Sequence, residues 1–301
     1  MISFVVPSYN QGRYIRQTLD SIVINMAGDD QLIIADGAST DDTLEVVKPF
    51  LTDPRIQCIS EADRGYGDAV SKALQLATNP IIGITSSDDL YLPQIRDRVL
   101  SEFKNESVGL VYGSWEVIDA AGRFQRERGL RSGSLEDFLS LRIIIPQSST
   151  FFRLSVADVG NCLRPEYDYI ADVVLFNHIA TKSEVTYVPR VLSRVRRHSG
   201  SRTGTQNPGS QYRAAIDRLW RHLNPEVVRK TRAGALLLEA RYERQRMRAL
   251  RLLMHALRLD PLAVNHWLMG RTLAYAILGQ RLTIRTRDGL EWANRFLRTN
   301  K

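Results

Sequence analysis

Cysteine is scarce in this 301-residue chain: Cys58 and Cys162 stand among apolar neighbours, with neither CxxC nor Cys/His spacing. That scarcity argues against a disulfide framework or a cysteine-built zinc site and fits a reducing compartment. Long apolar runs are missing too. The most apolar stretch, residues 262–279, is interrupted by Asn265, His266 and Arg271, so a chain that does not span a membrane is expected. The opening "MISFVVPSYNQG" has no basic segment before its short apolar run, and it reads as a first strand rather than an export signal. No low-complexity tract or internal repeat stands out, nor does a Ser-His-Asp or Cys-His nucleophile signature. Basic motifs interleaved with aromatics are absent, so no nucleic-acid partner is expected.

What is there is ordinary in amount and uneven in placement. Apolar residues make up 44% and charged residues 25%, the balance of a folded globular chain. The net charge of +8 belongs to the tail: residues 213–301 hold 19 Lys and Arg against 7 Asp and Glu, for +12, and the part before them carries −4. In "AGALLLEARYERQRMRALRLLMHALRLD" leucines recur near helical period with arginines between them, which predicts a basic helix. Such a helix either packs on the rest of the chain or lies on an anionic membrane surface.

Residues 1–115 alternate strand-like and helix-like runs. "ISFVVPS", "QLIIAD", "IQCISEA" and "PIIGITS" read as strands, separated by "GRYIRQTLDSIVINM", "TDDTLEVVKPFL" and "GDAVSKALQLA". This order predicts a mainly parallel sheet covered by helices, whose ligands bind at the carboxyl ends of the strands. Further on, "VGLVYGSWEVID" and "GRFQRERG" read as a strand pair turning at Ala121-Gly122, "IIIPQSSTFFRL" as another extended run, and "DYIADVVLFNHIA" as a helix. The cluster "GTQNPGS" at 204–210 marks a boundary.

Polar clusters fall at all four early strand ends: Ser8-Tyr9-Asn10, Asp36-Gly37, residues 61–65 and residues 86–89. Adjacent carboxylates such as Asp88 and Asp89 repel, so a site that gathers them has something positive to hold, a hard divalent cation neutralising a diphosphate. Each feature also has a plain reading. Asp36-Gly37 suits a turn, Asp88-Asp89 a helix N-cap ahead of "LYLPQIRDRVL", and Arg64 an ion pair with Glu61 or Asp63. The five arginines between Arg190 and Arg202 suit a solvated face.

"VVPSYNQGRYIRQTLDSI", "IIADGASTDDT", "SEADRGYGDAVSKAL" and "GITSSDDLYLP", followed by "PQSSTFFRLSVADVG", "YDYIADVVLF" and "RRHSGSRTG", resemble the successive motifs of family 2 glycosyltransferases, of the WcaA-like bacterial polysaccharide-biosynthesis type. The resemblance covers about residues 1–205. It implies a GT-A fold with a nucleotide-binding half at about 1–115, an acceptor half at about 116–205, and a basic helical extension over 206–301. It also implies that Pro7, Tyr9, Asp36, Arg64, Asp68 and Asp88 meet the nucleotide, and that Asp88 and Asp89 bind Mg2+ or Mn2+. Asp172 is then the catalytic base, and His198 with Arg196 approaches the diphosphate or the acceptor. The implied partners are a nucleotide-diphosphate sugar and a glycan or lipid-linked acceptor, met in the cytoplasm or on the inner face of the membrane.

An inverting transfer is a single displacement, so a base must take the acceptor proton while charge builds on the leaving diphosphate. The chain departs from the family pattern at Ser86, Ser87 and Ala171, where acidic or amide residues are usual, which bears on metal affinity and nucleotide preference. The QxxRW motif of processive synthases is missing, since "DRLW" at 217–220 is not it, so one sugar per visit is expected. A nucleotidyltransferase would show a Gly-rich basic loop where "PSYNQGRYI" stands. From another class, the alternative is a non-catalytic nucleotide-sugar-binding or scaffold protein of a membrane assembly.

Overall fold

A computed structural model of the chain describes residues 1–202, 206–243 and 245–261. The apolar stretch at 262–279 lies outside the described residues, as does the part of the basic tail beyond residue 261. The described chain divides into two units, one of residues 1–138 with 143–202, the other of 139–142 with the residues beyond 202.

In the first unit, β1 (Ile2–Ser8), β2 (Gln31–Asp36), β3 (Ile56–Ser60) and β4 (Ile81–Ile84) alternate with α1 (Gly12–Val23), α2 (Thr43–Val47) and α3 (Tyr66–Leu76). There follow β5 (Leu90–Tyr91), α4 (Ile95–Glu102), β6 (Val108–Ile118), β7 (Phe124–Arg128), α5 (Leu135–Leu139), β8 (Thr150–Arg153), α6 (Val159–Cys162), α7 (Ala171–Ala180) and β9 (Glu184–Arg196). One mixed sheet runs in the order β3-β2-β1-β4-β8-β6-β9-β5, with β7 paired to β6. Strands β3, β2, β1 and β4 are parallel neighbours. Antiparallel β8 sits between β4 and β6, and β9 lies parallel to β6. Six strands therefore end on one edge: β1, β2, β3, β4, β6 and β9.

This is the Rossmann-like architecture expected of a GT-A domain, and its cause is visible in the strands. β2 is buried along its whole length and β1 nearly so, as apolar runs covered on both faces must be. Helix α1 buries Tyr14, Ile15, Leu19 and Ile22 on one stripe. Within the core Phe4 meets the rings of Tyr91 and Phe151 edge-on at 5.7 and 6.3 Å, and each such buried side chain contributes about 1.5–3 kcal/mol. Gly83 in β4 is what lets Phe151 in, because a Cβ there would lie 2.5 Å from its ring.

Several local expectations change. The run "IIIPQSSTFFRL" is not extended throughout: Gln147–Ser149 form a 3-10 turn after Pro146, and only Thr150–Arg153 join the sheet. Pro146 has no N–H for a ladder, and the hydroxyls of Ser148 and Ser149 bond to Asp89, Ser193 and the Ser114 carbonyl instead. Asp88-Asp89 does not cap α4, whose N-cap is Gln94 at φ +64.

In the second unit, α8 (Gly209–Ala215) continues into a π-helical turn at Ile216–Trp220, and α9 (Pro225–Tyr242) and α10 (Arg246–Leu259) follow. Asn224 caps α9 through the Glu226 N–H, with Pro225 at the first helical position. The basic run expected to form a helix forms two, broken where Glu243 turns extended, and Ala233, Leu236 and Leu237 pack against Leu253 and Ala256.

Candidate active site

The shared sheet edge gathers the acids. Asp88 and Asp89 follow β4. Asp88 Oδ2 lies 2.9 Å from His198 Nε2, just past the end of β9. Gly200 N–H donates to His198 Nδ1 at 3.2 Å, so the neutral ring carries its hydrogen on Nε2 and donates to Asp88. The imidazole also lies against the Tyr14 ring, centroids 4.7 Å apart and planes tilted by 36°.

Asp89 faces inward and is 5% exposed. Its Oδ1 accepts the Arg196 N–H at 2.8 Å and its Oδ2 accepts the Ser148 hydroxyl. Burial, and after it the charge of Asp88, pushes its carboxyl up to about 7. Arg196 is more deeply committed, at 2% exposure. Its guanidinium donates to the Asp88 carbonyl at 2.9 Å, to Gln17 Oε1 at 2.8 Å, and to the carbonyls of Asp119 and Ala120, and it lies over the Tyr14 ring. The direct diphosphate or acceptor contact expected of Arg196 is not what this packing offers, since its donors are spent holding Asp88 from behind.

Among the described residues no group of three or more His, Cys, Asp or Glu is arranged to hold a metal. The site offers Asp88, whose Oδ1 is left over from the His198 bond, with the imidazole beside it. One carboxylate oxygen fits Mg2+ or Mn2+ when substrate oxygens and water complete the shell, while both ring nitrogens of His198 are engaged, by Asp88 and by the Gly200 N–H. Asp89, with both oxygens hydrogen-bonded to the protein, braces this pair from below.

Toward β3 the edge carries the residues expected to meet a nucleotide. Pro7 is half-buried opposite Ala35, and Tyr9, just past β1, is 59% exposed. Asp36 is 2% exposed and accepts from Ser39 N–H at 2.9 Å, from the Ser39 hydroxyl, and from Ser60 Oγ at 2.7 Å. Three of a carboxylate's roughly four acceptor positions are thereby used to tie the loop after β2 to the end of β3. Arg64 pairs with Asp68 at 2.8 Å rather than with Glu61 or Asp63, while Lys72 holds Glu61 at 2.9 Å and Asp68 at 3.4 Å. The Arg64 bond keeps the Asp68 carboxyl below its ordinary value. Asp36, Glu61, Asp63 and Lys72 line a small cleft over Ala35 and Ile59.

Asp172 sits in the first turn of α7, half-buried, ahead of the buried Val174, Leu175 and Phe176. Burial pushes its carboxyl up to about 6, against the opposing pull of its own and the Val173 N–H groups and of Arg202. Among the described residues the buried Tyr66 hydroxyl has no hydrogen-bond partner, and burial together with the charge of Asp172 raises its phenol well above the ordinary range.

Sequence reasoning missed four residues of this edge: Tyr14, Gln17, Asp168 and Arg202. Asp168 carried a faint signal, standing four residues before Asp172. Nothing in "GRYIRQTL" marks Gln17, which becomes a partner of Arg196 only because the fold brings together residues 179 positions apart.

The glycosyl transferase family 2 profile matches residues 3–159. The chain is 32% identical over 124 residues to the chondroitin synthase of Escherichia coli, a stretch that is 40% of this chain and 18% of that protein. It spans less than a fifth of the length of the first curated relatives it matches. Among solved structures, S. aureus TarS 1–349 shares the fold with a TM-score of 0.66 at 15% identity, covering 96% of this chain and 91% of that one. The mannosyltransferase PcManGT of Pyrobaculum calidifontis, in complex with GDP-Man and Mn2+, does so with a TM-score of 0.53 at 20% identity, over 92% and 86% of the two chains. Because the matched profile runs from β1 through β8 and takes in every strand end described above except that of β9, the chain belongs to glycosyl transferase family 2.

Proposed function

We propose that the chain is an inverting, metal-dependent glycosyltransferase. It moves one sugar from a nucleotide-diphosphate sugar to a hydroxyl of a glycan or lipid-linked acceptor, in bacterial surface-polysaccharide biosynthesis of the WcaA-like type. The observation that carries this reading is Asp172, a half-buried carboxylate at the ligand-binding edge with a pKa near 6. Such a group is ionised at neutral pH and still basic enough to take a proton from an attacking hydroxyl. Asp88, with His198 beside it, would hold Mg2+ or Mn2+, which supplies positive charge to the departing diphosphate. Asp89 and Arg196 keep Asp88 in place, and Tyr9, Pro7, Asp36, Arg64 and Asp68 surround the nucleotide.

The relatives support the substrate class. S. aureus TarS has been solved with UDP-GlcNAc, PcManGT with GDP-Man and Mn2+, and the Escherichia coli relative is a chondroitin synthase.

The deciding experiment compares wild type with Asp172→Asn. Nucleotide binding is read by calorimetry with UDP, GDP, dTDP and CDP, each with and without Mn2+, and transfer by released nucleoside diphosphate. The variant is expected to bind its nucleotide within about twofold of wild type and to lose transfer by about 10²–10⁴-fold. Wild-type turnover should fall as the pH drops through about 6, as Asp172 takes up its proton. Near-normal transfer by Asp172→Asn would remove the base assignment, and nucleotide binding without any transfer by wild type would favour the scaffold reading.

A further inference from the structure

Helix α3 begins with a deficit. Its N-cap is Gly65, at φ +120, which has no side chain to satisfy the first N–H groups of the helix. The acceptor comes from far along the chain: Asp168 Oδ1 takes the Gly67 N–H at 2.9 Å, across 101 residues. The fit demands glycine at the cap, because a Cβ at Gly65 would lie 2.5 Å from Asp168 Oδ2. The same Oδ2 accepts from Arg202 Nη2, and the Arg202 guanidinium also lies over the Tyr169 ring. Asp168 is on the 3-10 turn Pro165–Ile170 that leads directly into α7, one helical turn before Asp172. One carboxylate thus ties three pieces together: the start of α3, with Arg64 just before it and Asp68 in its first turn, the turn that leads into α7 and Asp172, and the segment that follows His198.

We propose that Asp168 is a positioning residue, which with Arg202 as its counter-ion clamps the start of α7 to the start of α3 and so holds the Asp172 carboxylate in register with a donor bound beside Arg64. This rests on the glycosyltransferase reading. The clamp spans the two sides of the reaction, since the α3 loop lies on the nucleotide side and α7 on the acceptor side. A base set even slightly off line loses rate without loss of donor affinity.

The test uses the full chain and three donors, UDP-glucose, UDP-N-acetylglucosamine and GDP-mannose, with Mn2+ and release of nucleoside diphosphate as the readout. Asp168→Ala should lower kcat by about 10–100-fold with the donor KM within about twofold, a loss confined to the transition state. Asp168→Asn, which keeps an acceptor for Gly67 N–H, should lose less. The pH profile separates positioning from general damage. The groups acting on Asp172 are Arg202 from the segment after β9, whose charge lowers its carboxyl, and the Tyr66 phenol from α3, while Asp168 is the carboxylate paired with that Arg202. Arg202→Met removes a cation and should move the acid limb of kcat upward, whereas Asp168→Ala removes an anion and should move it downward.

Opposite movements from the two partners of one ion pair are not what a loosened fold produces. Unchanged kcat in Asp168→Ala, or limbs that do not part, would overturn the proposal. Should wild type turn over none of the three donors, the glycosyltransferase reading is what fails. Amide exchange at residues 66–70 then tests the clamp by itself: faster exchange in Asp168→Ala supports it, and unchanged exchange overturns it.

Discussion

Asp172 and Asp89 cost the fold stability at the pH where they would work. In the unfolded chain each releases its proton near the ordinary value of 3.8, while in the folded chain they hold it to about 6 and about 7. Between those limits the folded state binds more protons than the unfolded one, so stability falls as the pH rises through the window and levels off above it. Replacing Asp172 with Asn removes one such group, and Asn keeps an acceptor for the N–H groups that now bond to it. We expect Asp172→Asn to be more stable than wild type at pH 7.5, by up to about 3 kcal/mol at one pKa unit per 1.36 kcal/mol, and the gain to vanish near pH 4. Urea denaturation at the two pH values checks this, and an equal gap at both would show that Asp172 is not held protonated by burial. A variant that gains stability while losing transfer is the signature of a group kept for chemistry.

At the level of elements, the two ends of the sheet are built for different purposes. At the carboxyl end Asp88 keeps an oxygen clear of its His198 bond, whereas at the amino end a buried carboxylate is tied up by the protein. There the Asp30 carboxylate, with its side chain inaccessible to solvent, accepts the N–H groups of Ile2 at 2.8 Å and Ala27 at 3.0 Å and pairs with Arg96 from α4. Arg96→Ala leaves that charge buried with only its backbone donors, and it should cost about 3–5 kcal/mol. Because the damage is at the opposite end of the sheet from Asp88 and Asp172, turnover per folded molecule should stay within about twofold. Thermal denaturation alongside kinetics corrected for the folded fraction checks both parts. The strands and helices that build this sheet were legible because their apolar periodicity reports which faces are buried. Elements shaped by side-chain hydrogen bonds were not, and the 3-10 turn of Ser148 and Ser149 is the case in point.

Over the whole molecule, charge is partitioned as the sequence implies. The first unit carries the acidic site, while α10 in the second buries Ala249, Leu253 and Ala256 and exposes Arg251, Arg258, Met247 and Met254. Among the described residues no helix is long and apolar enough to cross a membrane. Attraction to an anionic surface would come at about 1 kcal/mol for each Lys or Arg that reaches it. The full chain is therefore expected to float with phosphatidylglycerol vesicles at low salt and to be released at about 0.5 M salt, where the screening length is only about 4 Å. Failure to float at low salt would leave the helices a purely packing role.

What the sequence determined by itself was the order of elements, the sheet edge that carries the polar clusters, and the identity of the acids there other than Asp168. These follow from local pattern, because burial periodicity and turn chemistry are written in neighbouring residues. Only the tertiary structure decided what each acid does with its oxygens. Asp88 keeps one clear of His198, Asp89 and Asp36 turn theirs to protein donors, Arg196 is sealed beneath the site it was expected to line, and Asp168 reaches across 101 residues to the start of α3. A side chain's availability depends on partners brought from distant segments, and a linear pattern does not contain them.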